Sequence, residues 1–270
     1  MEPSRCPRLH EAIPMNRYDD IYNRLEHWLL THIASMGSTN GGCRQAFELK
    51  RIHSLKVADE TVAIGRGLGL EPPALFLART IGLLHDVGRF EQYRTYGTFN
   101  DFTSIDHGDL GERTVAANGL LDDFDPFQRE IIRKTIRYHN KMSLPSDESE
   151  AVLFHAKLIR DADKLDIYRV VSEREVVPGA LPSQNTIAES LLEDLMAGKK
   201  VGYMHLKSAA EMRLMHISWI FDINFEPTLR LIQERNYLEI LSAILPSSER
   251  IDAFVRKARQ HLAAQKPPAS

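Results

Sequence analysis

Cysteine is almost missing from this 270-residue chain, which has only Cys6 and Cys43. Two isolated cysteines make neither a disulfide framework nor a thiolate metal motif, and a reducing cytosol is the natural compartment. Long apolar runs are missing as well. Even Ala74–Leu84 is short for a membrane span and is interrupted by Arg79. The first residues carry Arg5 and Arg8 but no hydrophobic stretch, so they do not read as a secretory signal. There is no excess of positive charge. Lys and Arg number 34 against 37 Asp and Glu, a net charge of −3, and the overall balance leaves no footprint for nucleic acid. Internal repeats, low-complexity tracts and useful lengths of strand-like alternation are absent too. What remains, 43% hydrophobic and 26% charged, is ordinary for a globular protein. The length suits one large domain or one domain with an appendage.

The apolar residues that are present recur at helical spacing, so the fold class expected is all-α. Residues 1–15, with three prolines, read as a flexible arm, and 37–42 (GSTNGG) as a loop. Helices are expected over Tyr18–Met36, Phe47–Leu70, Pro73–Val87, a segment starting near Asp106, Phe127–Asn140 and Ala151–Val171. Pro73 suits a first helical turn, and Asp106 or Ser104 suits an N-cap. Gly88–Asp106 has poor periodicity and many aromatics (Phe90, Tyr93, Tyr96, Phe99, Phe102), so it reads as a long irregular connection. Beyond a loop marked by Pro178 and Pro182, helices are expected over Thr186–Ala197, Ser208–Asn224, Glu226–Leu245 and Ser247–Ala264, then a frayed tail. The domain reading is an arm over 1–15, a main helical domain over 16–171, and a C-terminal helical extension over 172–264 packed on it.

Chemistry concentrates at Leu83-Leu84-His85-Asp86-Val87-Gly88-Arg89-Phe90. Two strong metal ligands stand side by side at the end of the most apolar helix, and buried imidazole and carboxylate groups are costly without a partner. His53, His107, His139 and an aspartate near 163 fall in or at the ends of other expected helices, which can project side chains into one bundle-core site. By position alone Asp161, Asp163 and Asp166 compete for the last place. The donors are nitrogen and oxygen without sulfur, which suits Fe, Mn, Zn, Ni, Co or Mg. A carboxylate has two oxygens and can bridge two cations. The partition expected is His53, His85 and Asp163 on one ion, His107 and His139 on the other, and Asp86 between them. Such pairs of ions suit hydrolysis of phosphate esters.

The series His53, then His85-Asp86 in LLHDVGRF, then Asp163 in RDADKLD resembles the H…HD…D signature of the HD superfamily of metal-dependent phosphohydrolases. The likeness covers roughly Phe47–Val171. It implies an HD-domain helical bundle, with His53, His85, Asp86 and Asp163 as primary ligands and Asp163 chosen over its two neighbours. His107 and His139 resemble the extra histidines of dinuclear members. Asn140 follows His139 and no Gly-Tyr-Pro follows at all, a departure from the cyclic-dinucleotide phosphodiesterases. The six-residue set also looks like that of the superfamily's di-iron oxygenases. The resemblance therefore implies one or two divalent metal ions as cofactor and a metal-activated water acting on a small phosphorylated metabolite or nucleotide, with oxygenase chemistry as the alternative.

A phosphate substrate also needs side-chain cations. Arg89 lies three residues past Asp86, and Lys164 adjoins Asp163, so both are candidates to orient it beside the catalytic Asp86. Arg137 and Lys141 read as surface charges. Asp109 or Glu112 could orient a ligand histidine through its second nitrogen, but a solvent-facing charge is the plainer reading of both. His155, His205 and His216 read as structural. The partners expected are a small phosphorylated substrate or nucleotide, with no membrane and no clear nucleic acid.

Overall fold

A computed structural model of the chain describes residues 15–36, 41–173 and 185–264. The arm expected over 1–15 lies outside the described residues except for Met15. So do residues 37–40 of the expected loop, the loop at Pro178 and Pro182, and the tail. Among the described residues the structure is helical without strands, and no helix is long and apolar enough to cross a membrane. The chain divides into two compact units, Met1–Asp166 and Ile167–Ser270.

The first unit is built on α3 (Pro72–Leu84). Two prolines open it, where the missing N–H groups would have no helical partner anyway. Phe76, Leu77, Ala78, Ile81, Leu83 and Leu84 are all buried, so the helix is enclosed on every side. On one flank lies α1 (Met15–Ser35), where Tyr18 stacks on Phe76 at 4.6 Å between ring centroids. There too Arg79 covers the Tyr22 ring at 3.7 Å, which explains a charge inside this apolar run. Another flank meets α2 (Gly41–Gly67) at Gly82. A Cβ there would lie 2.7 Å from Ala58 Cα, so the two backbones touch. That crossing sets the place of two histidines. His53 lies about one turn before it on α2 and His85 about one turn after it on α3, so the two meet.

Residues 88–106 differ from the irregular connection that their sequence suggests. Gly88–Tyr96 forms a regular helix, α4, closed by Gly97 in the left-handed region at φ +66°. A short turn over Asp101–Thr103 comes next. Periodicity failed here for a physical reason. The inward positions of α4 carry polar as well as apolar groups: Gln92 is as fully buried as Phe90. The unit is completed by α5 (His107–Ala117), α6 (Pro126–Tyr138) and most of α7 (Glu150–Ser172). Asp106 is the N-cap of α5, accepting from Asp109 N, and Asp125 and Gln128 form a capping box on α6.

The second unit holds α8 (Glu189–Met196), α9 (Ala209–Ser218), α10 (Glu226–Glu234), α11 (Tyr237–Ser242) and α12 (Glu249–Ala263). Two helices expected to be continuous are divided. The Ser208–Asn224 segment tightens into a 3₁₀ turn at Trp219–Asp222. The Glu226–Leu245 segment breaks at Asn236, which adopts φ +55°. Asparagine tolerates that conformation better than other residues with a Cβ, and apolar periodicity does not register it. Buried Glu211 accepts from Ala188 N at 2.9 Å and Lys207 N at 2.5 Å, so a carboxylate fastens the entry to α9.

His155 on α7 is a structural histidine with a measurable consequence. Its Nδ1 donates to the Ala151 carbonyl at 2.8 Å, and its Nε2 is buried without a hydrogen bond. Burial pushes its pKa down to about 4, against the smaller pull of that backbone bond. Between pH 6.5 and 4 the unfolded chain therefore takes up a proton that the folded chain refuses. Stability declines as the pH is lowered across that window, by about 3 kcal/mol. Denaturant unfolding at pH 7 and pH 4 should show a loss about 3 kcal/mol larger in the wild type than in His155→Leu, because other buried histidines contribute equally to both.

Candidate metal centre

Every residue of the site lies in the first unit. His53 comes from α2, and His85 stands at the C-cap of α3 with Asp86 directly after it. Arg89 is in the first turn of α4, His107 opens α5, and His139 is the C-cap of α6. Asp163 and Asp166 lie three apart on α7, and so on one face. His53, His85, Asp86, His107 and His139 are buried, while the Asp163 side chain is 24% exposed. Ligand atoms of His53, His85 and Asp163 lie within 4.8 Å of one another, as do those of His85, Asp86 and His139.

The two oxygens of Asp86 face different partners. Oδ2 is 3.5 Å from His53 Nε2 and 3.6 Å from His85 Nε2. Oδ1 is 3.3 Å from His107 Nε2 and 3.6 Å from His139 Nε2. Asp163 Oδ1 stands on the first side, 3.0 Å from His53 Nε2 and 3.9 Å from His85 Nε2. His107 joins the second side through His139, with 2.9 Å between their Nε2 atoms.

The second nitrogen of each imidazole fixes what the first can do. His85 Nδ1 donates to the Gly82 carbonyl at 2.8 Å, and His139 Nδ1 to the Ile136 carbonyl at 2.6 Å. His107 Nδ1 is 2.7 Å from Asp101 Oδ2, and His53 Nδ1 is 2.7 Å from Asp166 Oδ2. A ring that donates through Nδ1 and is neutral presents a lone pair at Nε2. The Nε2 atoms of His53 and His85 are buried and make no hydrogen bond, though that of His53 is close to Asp163. His107 and His139 bring their Nε2 atoms together at 2.9 Å beside a carboxylate oxygen, and two neutral rings there would set lone pair against lone pair. Acceptors facing acceptors in a buried place need a cation between them.

The electrostatics point the same way. Burial opposes the charge on Asp86, but Lys50 and the surrounding histidines hold its carboxyl well below the usual carboxylate range. Asp163 and Asp101 are likewise pushed down despite burial, chiefly by His53 and His107 respectively. Burial pushes His85 down to about 3 against the pull of Asp86 and Asp163, so its ring is neutral and ready to bind a metal. Burial and then Arg89 lower His107. His53 is the exception: burial and Lys50 lower it, but Asp163 and Asp166 at its two nitrogens prevail and raise it to about 9. His53 Nε2 would exchange that proton for a divalent ion on binding one. The donor set therefore fits a divalent cation.

A protein-family model for the HD domain matches residues 51–168, a segment containing all six candidate ligands. The chain carries an HD domain. No curated protein and no solved structure matches it. HD domains are all-helical and belong to a superfamily of metal-dependent hydrolases, so the domain accounts for both the helical unit and the clustered histidines and aspartates.

Around the HD-domain cluster Asp109 and Glu112 keep to the plainer of their two readings, that of surface charges. Asp109 and Glu112 do not orient a site histidine. Asp109 pairs with Arg137 at 3.1 Å and Lys141 at 3.4 Å, and Glu112 pairs with Arg133. Asp101 has that position instead. It is itself held by Arg89 at 3.0 Å, Gln92 at 2.8 Å and Asn140 at 3.0 Å. Arg89 also donates to the Phe99 carbonyl, and its Nε is buried without a hydrogen bond, 3.5 Å from Asp86 Oδ1. Lys164 is buried on α7. Lys50, which sequence reasoning passed over, sets its Nζ 2.6 Å from Asp86 Oδ2. Its only advance signal is its place three residues before His53 on one helix, hence on the same face.

Proposed function

We propose that this HD-domain chain is a metal-dependent phosphohydrolase that cleaves a phosphate ester of a small metabolite or nucleotide. His53, His85 and Asp163 would hold one divalent ion and His107 and His139 a second, with Asp86 available to both. The observation that carries this reading is the division of Asp86. One oxygen faces His53 and His85, the other faces the close His107–His139 pair. A pair of divalent ions supplies a water of lowered pKa and neutralises charge on phosphoryl oxygens. The chain's own groups supply the rest. Asp166 and Asp101 keep His53 and His107 turned inward from behind. Arg89 directs its free Nε–H toward the centre, where it can orient a phosphoryl oxygen. The test is turnover of a panel of phosphorylated metabolites and nucleotides by protein loaded in turn with Mn, Fe, Co, Ni, Zn or Mg. Hydrolysis that disappears on chelation supports the reading. No hydrolysis under any loading overturns it, and oxygen uptake by the iron form would replace it with an oxygenase.

The back-side carboxylate gives a second check. Asp101→Ala removes the group that orients His107 and also releases the clamp of Arg89, Gln92 and Asn140. Affinity for the ion on the His107–His139 side should fall about 10–100-fold. Affinity on the His53–His85 side should change little. A metal titration that distinguishes the two sites reads both.

A further inference from the structure

Lys50 lies one residue before the segment matched by the HD domain. Its side chain is 17% exposed, and its Nζ sits on Asp86 Oδ2, the oxygen turned toward His53 and His85. The Phe99 ring stands 5.6 Å from that ammonium, and Arg89 holds Phe99 in place through its carbonyl. We propose that Lys50 is a switchable anion contact: it balances Asp86 when no metal is bound, and grips a phosphate oxygen when one is. This rests on the metal centre proposed above.

A divalent ion held by His53, His85 and Asp163 claims the same Asp86 oxygen as the ammonium. Two cations repel each other strongly at such a distance in a mostly buried place, so the metal displaces Lys50. The lysine cannot go far, because its helix is fixed by the Gly82 crossing and its stem is enclosed. A displaced ammonium there needs a new counter-charge. On the far side of Asp86, Arg89 Nε is a buried donor without a hydrogen bond. A tetrahedral oxyanion has enough oxygens to answer the ion, Lys50 and Arg89 together, whereas one water cannot compensate two cations. The ligand class that fits is a phosphate monoester and the inorganic phosphate it yields.

Metal and anion are then coupled, and the coupling is reciprocal: each tightens the other by one factor. Calorimetric titration of Mn²⁺ into the full chain, with and without saturating inorganic phosphate, measures it without any turnover. In wild type, phosphate should tighten Mn²⁺ binding about tenfold or more. Lys50→Met should bind Mn²⁺ more tightly than wild type when phosphate is absent, since no ammonium competes, and should lose most of the phosphate effect. Lys50→Arg should keep that effect. Lys50→Gln, uncharged but polar, gives the same reading as methionine if the apolar variant does not fold. A Lys50→Met or Lys50→Gln protein that keeps the full phosphate effect, or binds Mn²⁺ no more tightly than wild type, overturns the assignment. A wild type that takes up no Mn²⁺, Fe²⁺ or Zn²⁺ at all overturns the metal centre itself, and Lys50 with it.

Discussion

Asp86→Asn is expected to abolish both metal retention and turnover while leaving the helical fold in place. The substitution keeps the size of the side chain but gives it at most one acceptor oxygen and no charge. Among the described residues Asp86 alone has oxygens that face both histidine pairs, at 3.3–3.6 Å. Asparagine can serve one pair with its oxygen but must turn an NH₂ group toward the other. Even an outer partner of a metal ligand is worth about 10–100-fold in affinity or activity, so loss of a shared ligand should exceed 100-fold. Elemental analysis and activity should fall together, with unchanged far-ultraviolet circular dichroism. A variant that keeps its turnover would mean that the biological role does not pass through this centre.

The largest effect on folding is expected at Gly88. A Cβ there would meet the His107 carbonyl oxygen and lie 2.6 Å from Gly111 N. Both obstacles are backbone, so no side chain can swing aside. Gly88→Ala must push the start of α4 away from α5, at about 3 kcal/mol, the upper part of the usual range for overpacking. The small gain from replacing a helical glycine by alanine does not offset it. The same displacement carries His107 away from Asp86, so metal affinity should fall with stability. Gly97→Ala is the control. Gly97 has positive φ but nothing within 4 Å of an added Cβ. It should therefore lose only the left-handed penalty of about 1–2 kcal/mol and keep its metal affinity. Thermal melts with and without metal distinguish the two.

Much of the site's layout comes from where residues fall along helices. His85 and His139 stand just beyond the ends of α3 and α6, and His107 begins α5, so elements meeting end to end bring them together. Apolar periodicity marks these helices because each turns one side to the core. It says little about partners that lie across space. Asp161, Asp163 and Asp166 could not be separated by spacing. In the structure Asp163 and Asp166 take opposite nitrogens of His53. Asp101 was invisible for a related reason: it lies in a turn after an α4 whose inward side is partly polar, and Gln92, Arg89 and Asn140 recognise it only once the chain is folded. Lys50 was missed because a lysine among exposed charges on an amphipathic helix reads as solvated. The break at Asn236 escaped notice because one left-handed residue interrupts a helix without disturbing its apolar period.

The most direct measurement is the number of divalent ions per chain, by elemental analysis of protein prepared anaerobically without chelator and then dialysed against metal-free buffer. Two ions per chain are expected, falling to none in Asp86→Asn and returning when the apoprotein of the wild type is resupplied. A wild-type chain that retains no ion when offered manganese, iron, cobalt, nickel, zinc or magnesium would contradict the reading of this cluster as a metal centre.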